Sequence, residues 1–194
     1  MRLAVFLSLL LILPGPLAAQ AGQADEPPAR ASFAGAALLK VSQLAGADRV
    51  FLGGLAGFVF ADRFLLGGGG MALTENVELP GSESSTGFDL GMGYGGVFLK
   101  SWTDLPHDLT GEASLLFGFG HAEVRDRLAG QEVGSDNFLA LEPEISIFFN
   151  PFREVHIGLS GGYRFVSGME DLPRVTQEDL QSFTGTLSLR LGGR

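Results

Sequence analysis

The clearest pattern in this chain is a period of two that runs from position 138 to position 166. Apolar residues occupy one face of two arms: Leu139, Leu141, Pro143, Ile145, Ile147 and Phe149, then Val155, Ile157, Leu159, Gly161, Tyr163 and Phe165. The opposite face carries Ala140, Glu142, Glu144, Ser146 and Asn150, then His156, Gly158, Ser160, Gly162 and Arg164. Such alternation around a proline-containing turn predicts an antiparallel hairpin. Its arms are long enough to match the roughly nine to eleven residues that cross a bilayer with tilt.

Six further segments extend the pattern to about eight predicted strands, at 33–43, 50–60, 64–73, 88–100, 109–121 and 183–191. Ionised residues are assigned to one face, which we expect to point inward: Lys40, Asp89, Glu112, Glu142, Glu144, Arg164 and Arg190. On the strand at 88–100 the outward face is predicted to carry Phe88, Leu90, Met92, Tyr94 and Phe98, with Lys100 at its end. The strands at 50–60 and 64–73 are apolar and glycine-rich on both faces, which leaves their register open.

Polar side chains inside and apolar side chains outside are typical of a transmembrane barrel, because lipid favours an apolar exterior and closure pairs every backbone group. The predicted fold class is therefore all-β: a closed, up-and-down antiparallel barrel. Long polar connections are expected at 74–87, 122–137 and 167–181. Pro143 is expected to cause a bulge or kink. Aromatic girdles are predicted near one boundary at Phe58, Phe60, Phe64, Phe98, Trp102, Phe149 and Phe152, and near the other at Phe88, Phe117, Phe119, Tyr163, Phe165 and Phe183.

Composition agrees with export to a lipid environment. The chain has 29 Gly, 16 Phe and a mean hydropathy of +0.25 despite a formal charge of −9. Residues 1–21 have the charged start, apolar run and small-residue cleavage site of a secretory signal peptide, with cleavage expected after Ala19 or Ala21. Residues 22–31 are expected to be a disordered lead-in, and residues 32–194 the barrel domain. The absence of cysteine excludes disulfides and a cysteine-linked lipid anchor.

These features, together with the hairpin LEPEISIFFN…IGLSGGYRFVSG, resemble the small OmpA/OmpX-type outer-membrane barrels of Gram-negative bacteria over positions 33–191. The resemblance implies location in the cell outer membrane, contact with its lipids, insertion by the barrel-assembly machinery and a monomeric state. The expected function is a non-enzymatic envelope protein with acidic surface loops for contact or membrane integrity. A lipid A-modifying enzyme and a soluble periplasmic ligand-binding barrel are the alternatives. The acidic balance argues against a nucleic-acid partner.

Three motifs suggest chemistry, and each has a better structural explanation. A G-x-G-x-x-G match at 91–96 is followed by more strand, and not by the helix that a dinucleotide site needs. In the G-x-S-x-G match at 158–162, Ser160 and His156 lie roughly 13 Å apart along one strand. Glu142 and Glu144 have glycosidase-like spacing, but buried charges in a filled barrel must be paired.

We therefore predict no catalytic, metal or cofactor residues, and instead an interior charge network of Lys40, Glu112, Glu142, Glu144, Arg164 and Arg190. Within this network Arg164 is expected to pair with Glu142 across the hairpin.

Overall fold

The computed structural model describes residues 32–79, 87–152, 154–170 and 172–192. The predicted signal peptide and lead-in lie outside these residues. Within these ranges the chain forms nine strands and one short helix. They are β1 (Ser32–Leu44), β2 (Ala47–Phe60), β3 (Phe64–Leu73), β4 (Val77–Glu78), β5 (Phe88–Leu105), β6 (Leu109–Asp126), β7 (Glu132–Phe152), β8 (Val155–Ser167), α1 (Gln177–Leu180) and β9 (Ser182–Gly192).

Eight of these strands close into a ring. Each long strand pairs antiparallel with its neighbour in the chain, β9 pairs with β1, and β3 pairs with β5. The two-residue strand β4 lies outside this ring and adds to the start of β5. The predicted closed, up-and-down barrel is thus confirmed. In the described part of the chain, no helix has the length and apolar character needed to cross a membrane.

The outer wall is apolar over the middle of the strands. Large hydrophobic side chains are exposed around the ring, including Phe33, Leu52, Phe58, Leu66, Val97, Phe117, Phe119, Ile145, Ile147, Leu159, Phe183 and Leu191. Six of the exposed aromatic rings lie towards one end of the barrel: Phe33, Phe58, Phe60, Phe64, Phe149 and Phe152. The inside-out pattern predicted for β1, β6, β7, β8 and β9 is observed in their burial.

The facing predicted for β5 is wrong. Leu90, Met92, Tyr94, Phe98 and Lys100 point into the barrel and are at most 7 % exposed. Asp89, predicted to point inward, instead lies at the rim of the barrel, where it contacts Arg127. The reason is volume: on the adjoining strands many inward positions are glycine, and the large side chains of β5 fill the space that these glycines leave. Phe98 and Trp102 are therefore interior residues and not members of a girdle.

Several inward glycines are required because neighbouring backbones approach closely. A Cβ atom added at Gly118 would lie 2.1 Å from the carbonyl oxygen of Gly95. One added at Gly67 would lie 2.2 Å from the carbonyl oxygen of Ala56. Such contacts are far below van der Waals distance, so the curved part of the wall formed by β2, β3, β5 and β6 tolerates no side chain at these positions.

The two ends of the barrel differ. The loop end has connections at 45–46, 74–87, 127–131 and 168–181, and the turn end has connections at 61–63, 106–108 and 153–154. The long loop expected at 122–137 is wrong, because β6 and β7 continue as a hairpin and leave only 127–131 as a connection. Pro143 causes no bulge: pairing of β7 with β8 skips two positions there and resumes in the same register.

Candidate functional site in the barrel interior

All six residues predicted for the charge network lie on the inner wall. Lys40, Glu112, Glu142, Arg164 and Arg190 are each at most 8 % exposed, and the side chain of Glu144 is 10 % exposed. They come from β1, β6, β7, β8 and β9, whose alternation directs these positions inward. The structure divides them into three groups along the barrel.

The first group is centred on Lys40. Its Nζ atom forms ion pairs with Glu142 and with Glu144, the latter at 2.8 Å. The Tyr94 hydroxyl donates to the other oxygen of Glu142 at 2.8 Å, and the Thr186 hydroxyl donates to Glu144 at 3.0 Å. One lysine therefore compensates two carboxylates, and each carboxylate also accepts a hydrogen bond from a hydroxyl group: Glu142 on its second oxygen, Glu144 on the oxygen that contacts Lys40. This satisfies the requirement that buried charges be paired and hydrogen-bonded.

The second group is centred on Glu112, towards the turn end. One of its oxygens accepts from Lys100 at 2.8 Å and the other from Arg190 at 2.5 Å. The Arg190 guanidinium also lies over the rings of Phe148 and Trp102, at 4.2 and 5.4 Å from their centroids. Here one carboxylate compensates two cations. Trp102 also lines a recess of about 560 Å³ formed with the turn at 61–63.

The third group surrounds Arg164, and here the expected pairing is wrong. Arg164 donates to the carbonyl oxygen of Leu180 at 2.8 Å and to the hydroxyl of Ser42 at 2.9 Å, while Glu142 pairs with Lys40. The Arg164 guanidinium also packs over the rings of Phe51 and Tyr94, at 5.1 and 5.4 Å. Pairing of β7 with β8 is interrupted at Pro143, and the Arg164 side chain reaches Ser42 of β1 and the backbone of Leu180.

Sequence reasoning missed three polar members of the interior: Tyr94, Lys100 and Trp102. Their omission follows from the inverted facing of β5, because large apolar residues at 90, 92, 94 and 98 suggested a lipid-facing stripe. Lys100 is the residue in the sequence that indicates the correct facing of β5. It shares its face with Tyr94 and Trp102, and a lysine on a membrane-spanning strand is most stable beside interior carboxylates.

The segment 168–181 closes the loop end. Met169, Leu172, Val175 and Leu180 are buried, and Leu180 is fully enclosed. The backbone of Asp179 accepts from Ala45 at 3.0 Å. Together with the Arg164 bond to Leu180, these contacts attach the segment to β1 and β8. We refer to residues 168–181 as the cap.

Ion pairs also lie at the outer rim of the loop end. Arg127 donates to Asp89 at 2.6 Å and contacts Glu78 at 2.7 Å, and these hydrogen bonds raise the pKa of the Arg127 guanidinium. Arg125 pairs with Glu123 at 3.0 Å. Arg125 and Arg127 are thus each bound to at least one carboxylate.

The structure does not assemble the catalytic arrangements considered above. Ser160 bonds to Ser146 at 2.8 Å, and His156 bonds through Nδ1 to Asn150 at 2.6 Å, so each has its own partner. On the outer wall His121 bonds to Asn137 at 3.0 Å. Within the described ranges there is no cluster of three or more potential metal ligands. The glycines at 91–96 continue into strand, as the structural reading requires.

Comparison with known proteins decides the fold class. No family model matches the chain, and no curated protein matches it by sequence. Among solved structures, Neisserial surface protein A matches with a TM-score of 0.58 at 13 % identity, covering 83 % of this chain and 96 % of that one. This chain has the fold of the small eight-stranded outer-membrane barrels. The N-terminal barrel domain of Pseudomonas aeruginosa OprF also matches, with a TM-score of 0.51 at 13 % identity, covering 84 % of this chain and 99 % of that domain.

Proposed function

We propose that this chain is an integral outer-membrane protein of the Gram-negative envelope, without enzymatic activity, whose loop end faces the outside of the cell. The observation that carries the proposal is the division of the wall: apolar side chains outside, ionised side chains inside. In water this arrangement would expose a continuous hydrophobic surface and bury costly charges, whereas a bilayer stabilises it. The same division opposes the soluble periplasmic barrel.

We propose that its acidic loops serve surface contact or membrane integrity. Acidic residues outnumber basic ones at the described part of the loop end, which carries Asp48, Glu75, Glu78, Asp89, Glu123, Asp126, Glu132, Asp136, Glu170, Glu178 and Asp179 against Arg49, Arg125, Arg127 and Arg174. A negatively charged rim attracts basic partners and repels anionic ones. The interior is packed with buried side chains from the loop end to the turn end, so a diffusion pore is not expected.

Membrane fractionation with a heat-modifiability gel tests the location and the fold together. We expect the protein in the outer-membrane fraction, resistant to urea extraction, and migrating faster before boiling than after. Recovery in the soluble periplasmic fraction would reject the proposal. An epitope inserted at 128–130 should be detected on intact cells, whereas one inserted at 106–108 should be detected only after permeabilisation. The reverse result would show that the loop end faces the periplasm.

Planar-bilayer recording tests the filled interior. Purified protein should show no stable ion conductance above that of the empty bilayer, because the ionised side chains of the interior are held by ion pairs and hydrogen bonds and are surrounded by buried apolar side chains. Stable, reproducible channels would show that the interior admits ions.

A lipid A-modifying enzyme is the second candidate, and one observation bears on it. His121 lies on the outer wall near the rim, with Ser135 two residues from its partner Asn137 on the neighbouring strand. The ring nitrogen of His121 is hydrogen-bonded to the amide of Asn137 and not to Ser135. His121 is therefore not positioned to take a proton from a serine nucleophile. We therefore expect identical lipid A mass spectra with and without expression. A new lipid A species that disappears in His121→Ala would establish the enzyme.

A further inference from the structure

Strand β7 extends beyond the strand that follows it in the ring. Its pairing with β8 begins at Leu139 and Ser167, whereas β7 itself starts at Glu132 and is paired with β6 over this stretch. Positions 132–138 therefore form a strand edge that has no neighbouring strand on the β8 side in the described part of the chain. An uncovered edge can accept a strand from another molecule, and folded proteins usually protect such edges.

The side chain of Asp136 protects this edge. One oxygen of its carboxylate accepts from the backbone N–H of Asn137 at 2.7 Å. In an antiparallel sheet a residue directs its N–H and C=O to the same neighbour, so an N–H that is given to Asp136 points away from β6 and towards the open edge. Ser135 lies two positions earlier, and its backbone groups face the same way. Asp136 thus occupies a donor that an added strand needs.

The same carboxylate also holds the cap. Its second oxygen accepts from the backbone N–H of Glu170 at 2.8 Å. Beside this bond the ring of Pro173 packs on the backbone of Gly134, where an added Cβ atom would lie 2.6 Å from Cδ of Pro173. The first half of the cap is therefore attached to the edge of β7 at two points, one polar and one apolar.

We propose that Asp136 holds the cap closed over this edge, and that opening of the cap uncovers a docking site for an extended, basic segment of another protein. The proposal rests on the surface contact proposed above for the loop end. Charge selects the partner, because Glu132 and Glu170 are both exposed beside the edge. A second copy of this chain would bring the same acidic residues, and like charges on facing strands repel. Main-chain hydrogen bonds to Ser135 and Asn137 would supply the affinity.

Limited trypsin digestion and hydrogen exchange of the purified barrel in detergent test the role of Asp136. In Asp136→Ala we expect cleavage after Arg174 and exchange of the Asn137 amide to be at least tenfold faster, because both segments lose a bond to the carboxylate. Asp126→Ala is the matched control, since its carboxylate also accepts two backbone N–H groups, but both belong to the connection 127–131. It should change neither rate. Unchanged rates in Asp136→Ala would overturn the proposal.

Gly134→Val opens the cap by a second route. Its side chain would collide with the ring of Pro173 and leave the carboxylate of Asp136 in place. We expect faster cleavage after Arg174 in this variant as well. A heat-modifiability gel verifies that the barrel remains closed in each variant, so loss of the cap is distinguished from loss of the fold.

Fluorescence anisotropy tests the docking site with a labelled hexapeptide of alternating lysine and valine. It should bind Asp136→Ala at least tenfold more tightly than the unaltered protein or Asp126→Ala, which carries the same change of charge. Replacing the valines with proline removes backbone N–H groups and should abolish binding. Equal binding of the two peptides, or no preference for Asp136→Ala, would show that the edge does not accept a strand. Because the gel reports the barrel separately, that failure would leave the membrane location intact.

Discussion

Individual charges inside this barrel have unequal importance, because the ion groups are compensated in opposite ways. Lys40 has two carboxylate partners, whereas Glu112 is the one carboxylate within ion-pair distance of both Lys100 and Arg190 among the described residues. Removing one partner of a buried pair costs more than the pair contributes, because the remaining charge is left uncompensated. The cost of a substitution therefore depends on how many alternative partners the remaining charge has.

Glu112→Gln should be strongly destabilising, by about 3–5 kcal/mol, because two buried cations lose their shared carboxylate. Glu144→Gln is the matched comparison and should cost less, since Lys40 retains Glu142. Urea unfolding in vesicles, followed by the fluorescence of the single tryptophan, measures both. Trp102 lies beside Arg190, so its emission reports on the affected group directly. Equal losses in the two variants would contradict the asymmetry.

Backbone proximity gives a second prediction for single residues. Gly118→Ala should prevent closure of the barrel or destabilise it by several kcal/mol, because the added methyl group would meet the backbone of Gly95 at 2.1 Å. Gly185→Ala places the same group on the outer wall, where no atom lies within 4 Å, and should be close to neutral. The folded fraction on a gel run without boiling distinguishes them. A folded Gly118→Ala barrel of normal stability would refute the close approach.

Single elements show what the sequence could and could not predict. Charges at alternate positions predict the correct faces of β1, β6, β7 and β9, because an ionised residue is far more costly in lipid than in a paired interior. The predicted facing of β5 is wrong because one of its faces carries large apolar residues and the other mostly glycines. Either set can face lipid. Which set points inward depends on the volume left by β2 and β3, which no local pattern encodes.

The interior groups illustrate the same limit. Alternation alone indicated that Lys40, Glu142 and Arg164 share the lumen, but it could not assign partners, because the height of each residue depends on the register of strands distant in sequence. Lys40 and Glu142 are 102 positions apart. The cap was also beyond sequence reasoning: its polar residues suggested a solvated loop, whereas Met169, Leu172, Val175 and Leu180 pack into the barrel mouth.

The cap should open without unfolding the barrel. In Leu180→Ser the buried anchor of the cap is lost, and we expect trypsin to cleave after Arg174 at least tenfold faster, a ratio equal to about 1.4 kcal/mol. Leu128→Ser alters an exposed leucine in the 127–131 connection and should not change the cleavage rate. Mass spectrometry identifies the cleavage site, and the unfolding midpoint verifies that the strands remain intact. Unchanged cleavage in Leu180→Ser would show that the cap is held by other contacts.

At the scale of the whole molecule, the barrel depends on the surrounding solvent as much as on its own contacts. The interior satisfies its charges by pairing, but the exposed apolar side chains of the outer wall are satisfied only when lipid or detergent covers them. We therefore make separate predictions for the inner and the outer wall of the barrel. Substitutions inside alter stability in any environment that supports the fold, whereas substitutions outside alter it according to their depth in the bilayer.

Leu159→Arg tests this dependence on depth. Leu159 is 68 % exposed, lies opposite Ile147 and Leu187, and is the fifth of the 13 residues of β8. Its arginine replacement would therefore place a guanidinium in the hydrocarbon core at a cost of about 2–4 kcal/mol. Leu128→Arg makes the same change at 67 % exposure in the loop-end connection, where water reaches the side chain, and should cost close to nothing. Reversible unfolding from phospholipid vesicles measures the difference between two sites of equal exposure, which isolates the effect of depth. If both variants lose the same free energy, the outer wall does not face lipid at Leu159, and the proposed membrane location fails with it.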